Sequence, residues 1–208
     1  AVRPSMGFLE NRGQVTNPTV RYYAEAGGVA LGFLTSEVLV RLERPMTDAA
    51  PEGSSVRGAL VRVGFEGANR VAPHGADPFA HPTHFLLGHD STRWATDVPS
   101  YRGVEYRGLY DGVDLLYRLD PLGPKYEFRV SPRGDPSRII LSYEGAEGIA
   151  IDADGSLVIE TPVGVLREAA PITFAEDRSD EVRCRFRLSG PRAVGFRYYW
   201  DAETRNFA

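Results

Sequence analysis

Four histidines, His74, His81, His84 and His89, stand close together, and the last is followed by Asp90. Imidazole nitrogen and carboxylate oxygen are the ligands that Zn²⁺ and other borderline metals take. His81, His84 and His89 are therefore the residues a metal would use. Their setting speaks against it. Pro82 lies between the first two, and the segment has the composition of a loop entering a strand. The helix that aligns paired histidines in zinc hydrolases is missing. The expectation is that no structural ion and no cofactor is held.

Carboxylates are the next candidates. Asp97, Asp111, Asp114 and Glu127 surround the stretch "RWATDVPSYRGVEYRGLYDGVDLLY", and a glycosidase would need two of them facing each other about 5–10 Å apart. Asp111 stands in a turn and Asp114 at the entry of a strand, places where Asp is favoured for local hydrogen bonding alone. "DADG", Asp152 to Gly155, echoes part of a calcium loop but has no distal bidentate Glu. Set between "IAI" and "LVIE", it has the chemistry of a hairpin turn. Cys184 is the single cysteine, so no intramolecular disulfide can form. It alternates with Val182, Phe186 and Leu188 on one side of "VRCRFRL", which predicts a small inward hydrophobe and not a nucleophile. There is no Gly-x-Ser-x-Gly elbow, phosphate loop or dinucleotide fingerprint.

The elements that would position these groups are strands. "VRVGF" sets Val61, Val63 and Phe65 on one face, "KYEFRV" sets Tyr126, Phe128 and Val130, "RIILSY" sets Ile139, Leu141 and Tyr143, and "AVGFRYYW" sets Val194, Phe196 and Tyr198. Period-two alternation of this kind marks half-buried β-strands. Turn clusters such as "EAGG", "SPRGDPS", "DADG", "TPVG" and "LSGP" separate them. No window carries a helical stripe; the one helical hint is a turn in "DSTRW" capped by Asp90. The predicted class is all-β, an antiparallel β-sandwich with little or no helix.

At 208 residues, the chain reads as a single β-rich domain, with room for two sub-units meeting near residues 70–90. "RPMTDAAPEGSSVRG", Arg44 to Gly58, and "ANRVAPHGADPFAHP", from Ala68, are expected to be long loops. "VRVGFEGANR" and "IILSYEGAEG" echo each other, as two similar β-units would, or as two strands closed by the same Glu-Gly-Ala ending. Largely buried side chains are expected at Trp94, Tyr101, Tyr126, Phe128, Leu141, Cys184, Phe186 and Phe196.

A net charge of −4 offers no basic footprint for nucleic acid or an anionic membrane. No apolar run reaches the ~18 residues of a membrane helix. The chain opens at Ala1 without an initiator Met or signal-peptide regions, as a mature or trimmed chain would.

"FLENRGQV", "VRYYAEAGG", the stretch from His84 to Tyr117 and "KYEFRVSPRGDPSRIILSYEGAEGIAIDADGSLVIETPVGVLREAAPITF" together resemble a bacterial domain of unknown function. That domain precedes SBBP-type β-propeller repeats in secreted and cell-surface proteins. The resemblance implies an extracellular or cell-envelope location and a β-rich module without catalytic residues, with Trp94, Tyr101 and Tyr110 as packing anchors. It also implies propeller repeats or neighbouring subunits as partners.

The favoured expectation is a non-catalytic module for binding or assembly. Its alternatives are a carbohydrate-binding or glycan-active protein, and a self-assembling surface or filament subunit. The binding residues expected are Trp94, Asp97, Tyr101, Asp111 and Asp114. Tyr199 and Trp200, in the closing "FRYYWDAETRNFA", are expected to meet a neighbouring subunit or a following domain.

Overall fold

The computed structural model of the chain describes residues 7–26, 28–43, 58–85, 94–121, 123–174 and 181–198. In chain order the strands are β1 (Phe8–Glu10), β2 (Tyr22–Ala26), β3 (Val29–Leu34), β4 (Glu37–Glu43), β5 (Gly58–Phe65), β6 (His74–Pro78) and β7 (Thr83–Phe85). They continue with β8 (Ala95–Val98), β9 (Ser100–Tyr110), β10 (Val113–Asp120), β11 (Gly123–Val130), β12 (Ile140–Glu144) and β13 (Gly148–Ile151). The last are β14 (Leu157–Thr161), β15 (Gly164–Glu168), β16 (Thr173–Phe174), β17 (Glu181–Val182), β18 (Cys184–Gly190) and β19 (Ala193–Tyr198). A 3₁₀ turn at Pro136–Arg138 is the helical element among the described residues, and no helix there is long and apolar enough to cross a membrane. The fold is all-β and antiparallel, as the alternation predicts.

The chain divides into two compact units. Unit 1 holds Ala1–Leu42 and Ala68–Gly134; unit 2 holds Glu43–Gly67 and Asp135–Ala208.

In unit 1 the strand order is β11-β10-β9-β1-β2-β3-β4, with β6 also on β9 and with β7 and β8 as a separate ribbon. β10 and β3 are four places apart, a distance of about 19 Å in a flat sheet at ~4.8 Å per strand. Yet the rings of Phe33 on β3 and Tyr117 on β10 lie 5.0 Å apart, and Phe8 on β1 meets Phe33 at 5.4 Å. The sheet therefore curls over its own aromatic core, where Phe8, Phe33, Val104, Tyr106 and Leu115 are fully buried. β9 and β10 turn on Asp111–Gly112; Gly112 has φ +74°, the left-handed backbone that glycine adopts without steric cost.

In unit 2 the sheet β5-β12-β19-β18 is accompanied by a three-stranded sheet β13-β14-β15 and by the ribbon β16-β17. Val61, Ile139, Leu141 and Val194 fill the inner face of the first sheet, and Leu157 and Ile159 fill that of the second. Tyr143 on β12 reaches across to donate its hydroxyl to Glu168 Oε1 on β15 at 3.0 Å. Two sheets with facing apolar rows make this unit a β-sandwich. The echoed segments turn out to be neighbours: Phe65 pairs with Leu141 and Val63 with Tyr143. Gly67 and Gly145, which follow the two strands, are both left-handed, at φ +67° and +91°. At Gly145 a Cβ would collide with Leu60 O, so the shared Glu-Gly ending has a steric reason there.

Several expectations need correction. Trp94 is 40 % exposed; it immediately precedes β8 of the small β7–β8 ribbon, at an edge and not in the middle of a large sheet. Tyr101, Tyr126, Phe128 and Cys184 are half-buried, and Val130 and Leu188 are exposed. β11 pairs with β10 alone among the described residues, and an edge strand is covered from one side only. "HGADP", expected to be loop, is β6, paired with β9 from His74↔Glu105 to Pro78↔Tyr101. Residues 44–57, and the turn expected at Asp90, lie outside the described residues.

Candidate functional site

Two clusters form at the ends of β9, and they divide the residues that sequence chemistry singles out. At its start, the β7–β8 ribbon pairs Thr83 with Val98 and Phe85 with Ala95, so His84 faces two residues, Thr96 and Asp97. That is a β-bulge, and Asp97 takes the left-handed conformation, φ +54°, that the extra residue requires. The Asp97 N–H donates to His84 Nδ1 at 3.1 Å, and the Asp97 carbonyl accepts from Arg12 Nη1 at 3.2 Å. His84 is thus an acceptor that pins a bulge.

Arg12 is held in place by its loop. Asn11 Oδ1 accepts from the N–H groups of Gly13 and Val15 at 3.1 Å each, and its Nδ2 donates to Val20 O at 2.9 Å. Arg12 Nε also meets Glu10 Oε1 at 3.5 Å. Beside this pair, Tyr22 and Tyr101 stand edge to face with ring centres 5.6 Å apart. Burial, with the neighbouring Tyr22 and Glu10 adding to it, raises the Tyr101 hydroxyl above the ordinary tyrosine range. Gly75 lies so close over the Tyr101 ring that a Cβ there would overlap it. Tyr101 is therefore a half-buried packing anchor.

The other cluster is at the far end of β9. Val113 pairs with Tyr110 but Leu115 with Tyr106, so Arg107, Gly108 and Leu109 together face Asp114. Gly108, at φ +61°, donates its N–H to Asp114 Oδ1 at 2.6 Å. Asn69 Nδ2 donates to Gly108 O at 2.9 Å and to Asp111 Oδ1 at 3.4 Å, and Asn69 N–H to Leu109 O at 2.8 Å. Asp111 and Asp114 close a turn and a bulge. Asp97 and Asp111 are separated by the length of β9, on the order of 30 Å at ~3.3 Å per residue, so those two do not face one another across one bond.

The remaining candidates are dispersed. His81 is exposed, and no three His, Cys, Asp or Glu side chains gather as a metal site among the described residues. His89, Tyr199 and Trp200 lie outside those residues. "DADG" forms the β13–β14 hairpin turn, where Arg167 Nη2 donates to Asp152 Oδ2 at 2.5 Å and Ser156 N–H to Asp154 Oδ1 at 2.9 Å. The arginine bond chiefly holds Asp152 below the usual carboxylate range, and the Ser156 N–H chiefly holds Asp154 there. Burial pushes the Cys184 thiol up, against hydrogen bonds with Thr173 and Tyr198, which leaves little thiolate for nucleophilic work.

Asn11, Arg12, Tyr22 and Asn69 escape a reading by residue type. For Asn11, Arg12 and Asn69 the signal is turn composition, "ENRGQ" and "EGANR", and turn residues report local geometry before they report chemistry; Tyr22 stands on β2 and reads as an ordinary strand aromatic. No solved structure matches the chain. The family model of DUF7948, a domain of unknown function, matches residues 8–205, and the chain belongs to that family.

Proposed function

We propose that the chain is a non-catalytic module of a secreted or cell-envelope protein that works by binding or assembly, with propeller repeats or neighbouring subunits as partners. One observation carries this reading. Ile172 and Phe174 are 69 % and 63 % exposed on either side of Thr173, which hydrogen-bonds Cys184, and Val165 on β15 is 59 % exposed. Ile172 immediately precedes β16 and Phe174 ends it, so two nearby positions each hold a large apolar side chain in water. Covering such side chains contributes about 1.5–3 kcal/mol each, and exposed apolar surface beyond scattered single residues marks interaction sites. The acids and imidazole that catalysis would need are meanwhile engaged in a bulge, a turn and a hairpin.

Light scattering over a wide concentration range and calorimetric titration with a purified SBBP-type propeller domain test it. Association is expected, and Ile172→Asp with Phe174→Asp should weaken it by about tenfold or more without lowering the melting temperature appreciably. Absence of association in both measurements would sink the reading, as would hydrolysis of a glycan substrate that Asp114→Asn abolishes.

A glycan-binding reading is favoured by the Tyr22–Tyr101 pair beside Glu10 and Arg12, an aromatic and charged surface of the sort that saccharides stack on. A glycan array in which a hit is lost in Tyr22→Ala, with Trp94→Ala in parallel, would support it; a blank array would remove it.

A further inference from the structure

β9, β10 and β11 of unit 1 turn one face outward, and their register lays it out as a grid. Leu116 stands opposite Glu105 on one side and Glu127 on the other, Arg118 opposite Gly103 and Lys125, and Asp114 opposite Arg129. Directly opposed residues share a face, which puts Leu116 in the middle. Towards β6 the surroundings are small: Gly75, Ala76 and Gly103. A Cβ on Gly103 would press on Tyr117 O at 2.9 Å and Leu116 Cδ1 at 3.1 Å. Around the rest stand the long side chains of Arg107, Arg118 and Arg129. The outcome is a hollow of about 220 Å³ over Leu116, which is itself only 4 % exposed.

Each guanidinium is braced by one carboxylate. Arg107 pairs with the largely covered Glu105, Arg118 Nη1 with Asp77 Oδ2 at 3.5 Å, and Arg129 Nε with Glu127 Oε1 at 2.7 Å. A guanidinium carries five N–H donors in a planar fork, so these contacts orient it and leave most of its donors available. Arg129, bonded through Nε, keeps both terminal nitrogens. The three guanidiniums are matched by three carboxylates, Asp77, Glu105 and Glu127, so the charges about the hollow balance and it is the oriented, unsaturated N–H donors that a ligand would meet.

We propose that this hollow binds an oxyanion group, a sulfate, phosphate or carboxylate, carried by a larger ligand lying across β9–β11. The fork geometry of arginine matches such oxygens bidentately, and bracing by carboxylates orders the donors before the ligand arrives, which lowers the cost of binding. Whole small molecules occupy about 300–1,000 Å³, so a hollow of this size takes a substituent. The inference is independent of the assembly reading, which rests on unit 2.

Arginine Nε–H resonances of the full chain decide it, followed by NMR during titration with sodium sulfate and with sodium glucuronate, each against sodium chloride at matched ionic strength. Saturable shifts are expected at Arg118 and Arg129 and not at Arg187 on β18. Arg118→Gln and Arg129→Gln should each weaken binding about tenfold, the scale of one charge-assisted hydrogen bond. Arg118→Lys, which keeps the charge and loses the fork, should also weaken it. Saturation by sulfate alone assigns a tetrahedral group, by glucuronate alone a carboxylated one. Linear shifts equal to those in chloride, or undiminished binding in the folded double glutamine variant, overturn the proposal.

Discussion

Unit 1 and unit 2 start from the same alternating strands and close their cores differently. Unit 1 is held by rings. Phe8, Phe33, Tyr117, Tyr126 and Phe128 form a run with neighbouring centres 5.0–5.8 Å apart, mostly edge to face, the arrangement aromatic quadrupoles prefer. Tyr106 is buried, with its hydroxyl set to donate to Leu34 O at 2.8 Å or Glu37 O at 2.9 Å at the β3–β4 turn. Unit 2 is filled mainly by aliphatic rows, to which Tyr143 and the Phe186–Phe196 ring pair, 5.5 Å apart, are added, and among the described residues it also carries most of the exposed large apolar side chains: Leu60, Ile151, Val165, Ile172, Phe174 and Leu188. Tyrosine can bury its ring and still satisfy a polar group, so a tyrosine-rich core can extend right up to a turn. An aliphatic row has no polar end, and where its strand reaches the edge the apolar side chain is left in water.

The largest effect is expected where the rings meet. Phe33→Ala removes the side chain that touches both Phe8 and Tyr117, and should cost about 3–5 kcal/mol in denaturant unfolding. Leu141→Ala in the aliphatic row should cost about 2–5 kcal/mol. A loss under ~1 kcal/mol at Phe33 would mean the ring run does not hold unit 1. Tyr106→Phe comes next. It keeps the ring and strips the hydroxyl from two turn carbonyls, for about 1–3 kcal/mol; no loss would reduce Tyr106 to a plain aromatic.

A smaller effect is expected at the 3₁₀ turn of unit 2, where Asp135 Oδ1 accepts from Ser137 N–H at 2.9 Å and Ser137 Oγ at 2.6 Å. Asp135→Ala should cost about 0.5–1 kcal/mol near neutral pH. The Ser137 hydroxyl and N–H lower the folded-state pKa below the ordinary 3.8. The contribution is therefore present above that value and lost as pH falls through the folded one. Melting curves of the two proteins should converge below pH ~4; a gap that persists at pH 2 would show that the cap does not work through its charge. The smallest effect belongs to Val165→Thr on the exposed side of β15, within about 0.5 kcal/mol of no change. A clear destabilisation would show that this side chain is covered in solution, as by a second copy.

Where a strand lies under a packed face, that face was legible in the sequence: Ile139, Leu141 and Tyr143 beside and on β12, and Val61, Val63 and Phe65 on its partner β5, are all buried. The same pattern misled at β11 and at Leu188, since alternation reports which side a residue faces and not how much lies above it. β6 was hidden because "HGADP" pairs through backbone groups and contributes little side chain. Of the candidate site, Asp97, Tyr101, Asp111 and Asp114 could be picked out by type. Their division between the two ends of β9 could not, because it depends on bulges, and a bulge is one residue of mismatch between strands distant in sequence. Asp97 gives no hint in the sequence of its left-handed backbone.

The interleaving of the two units along the chain sets an order of events during synthesis. Strand β5 belongs to unit 2, yet its partner β12 lies beyond the whole second segment of unit 1; Phe65 and its mate Leu141 are 76 positions apart. At about 5–20 residues per second, a ribosome needs roughly 4 to 15 seconds to supply the second after the first. For that interval "ALVRVGF", a β-prone and largely apolar segment, has no unit 2 sheet to join. Pairings this distant form slowly and leave unpaired strands open to association. The nascent chain would thus carry an unfinished unit 2 sheet through the interval between Phe65 and Leu141, and a holdase that recognises short apolar strands would have a binding window there.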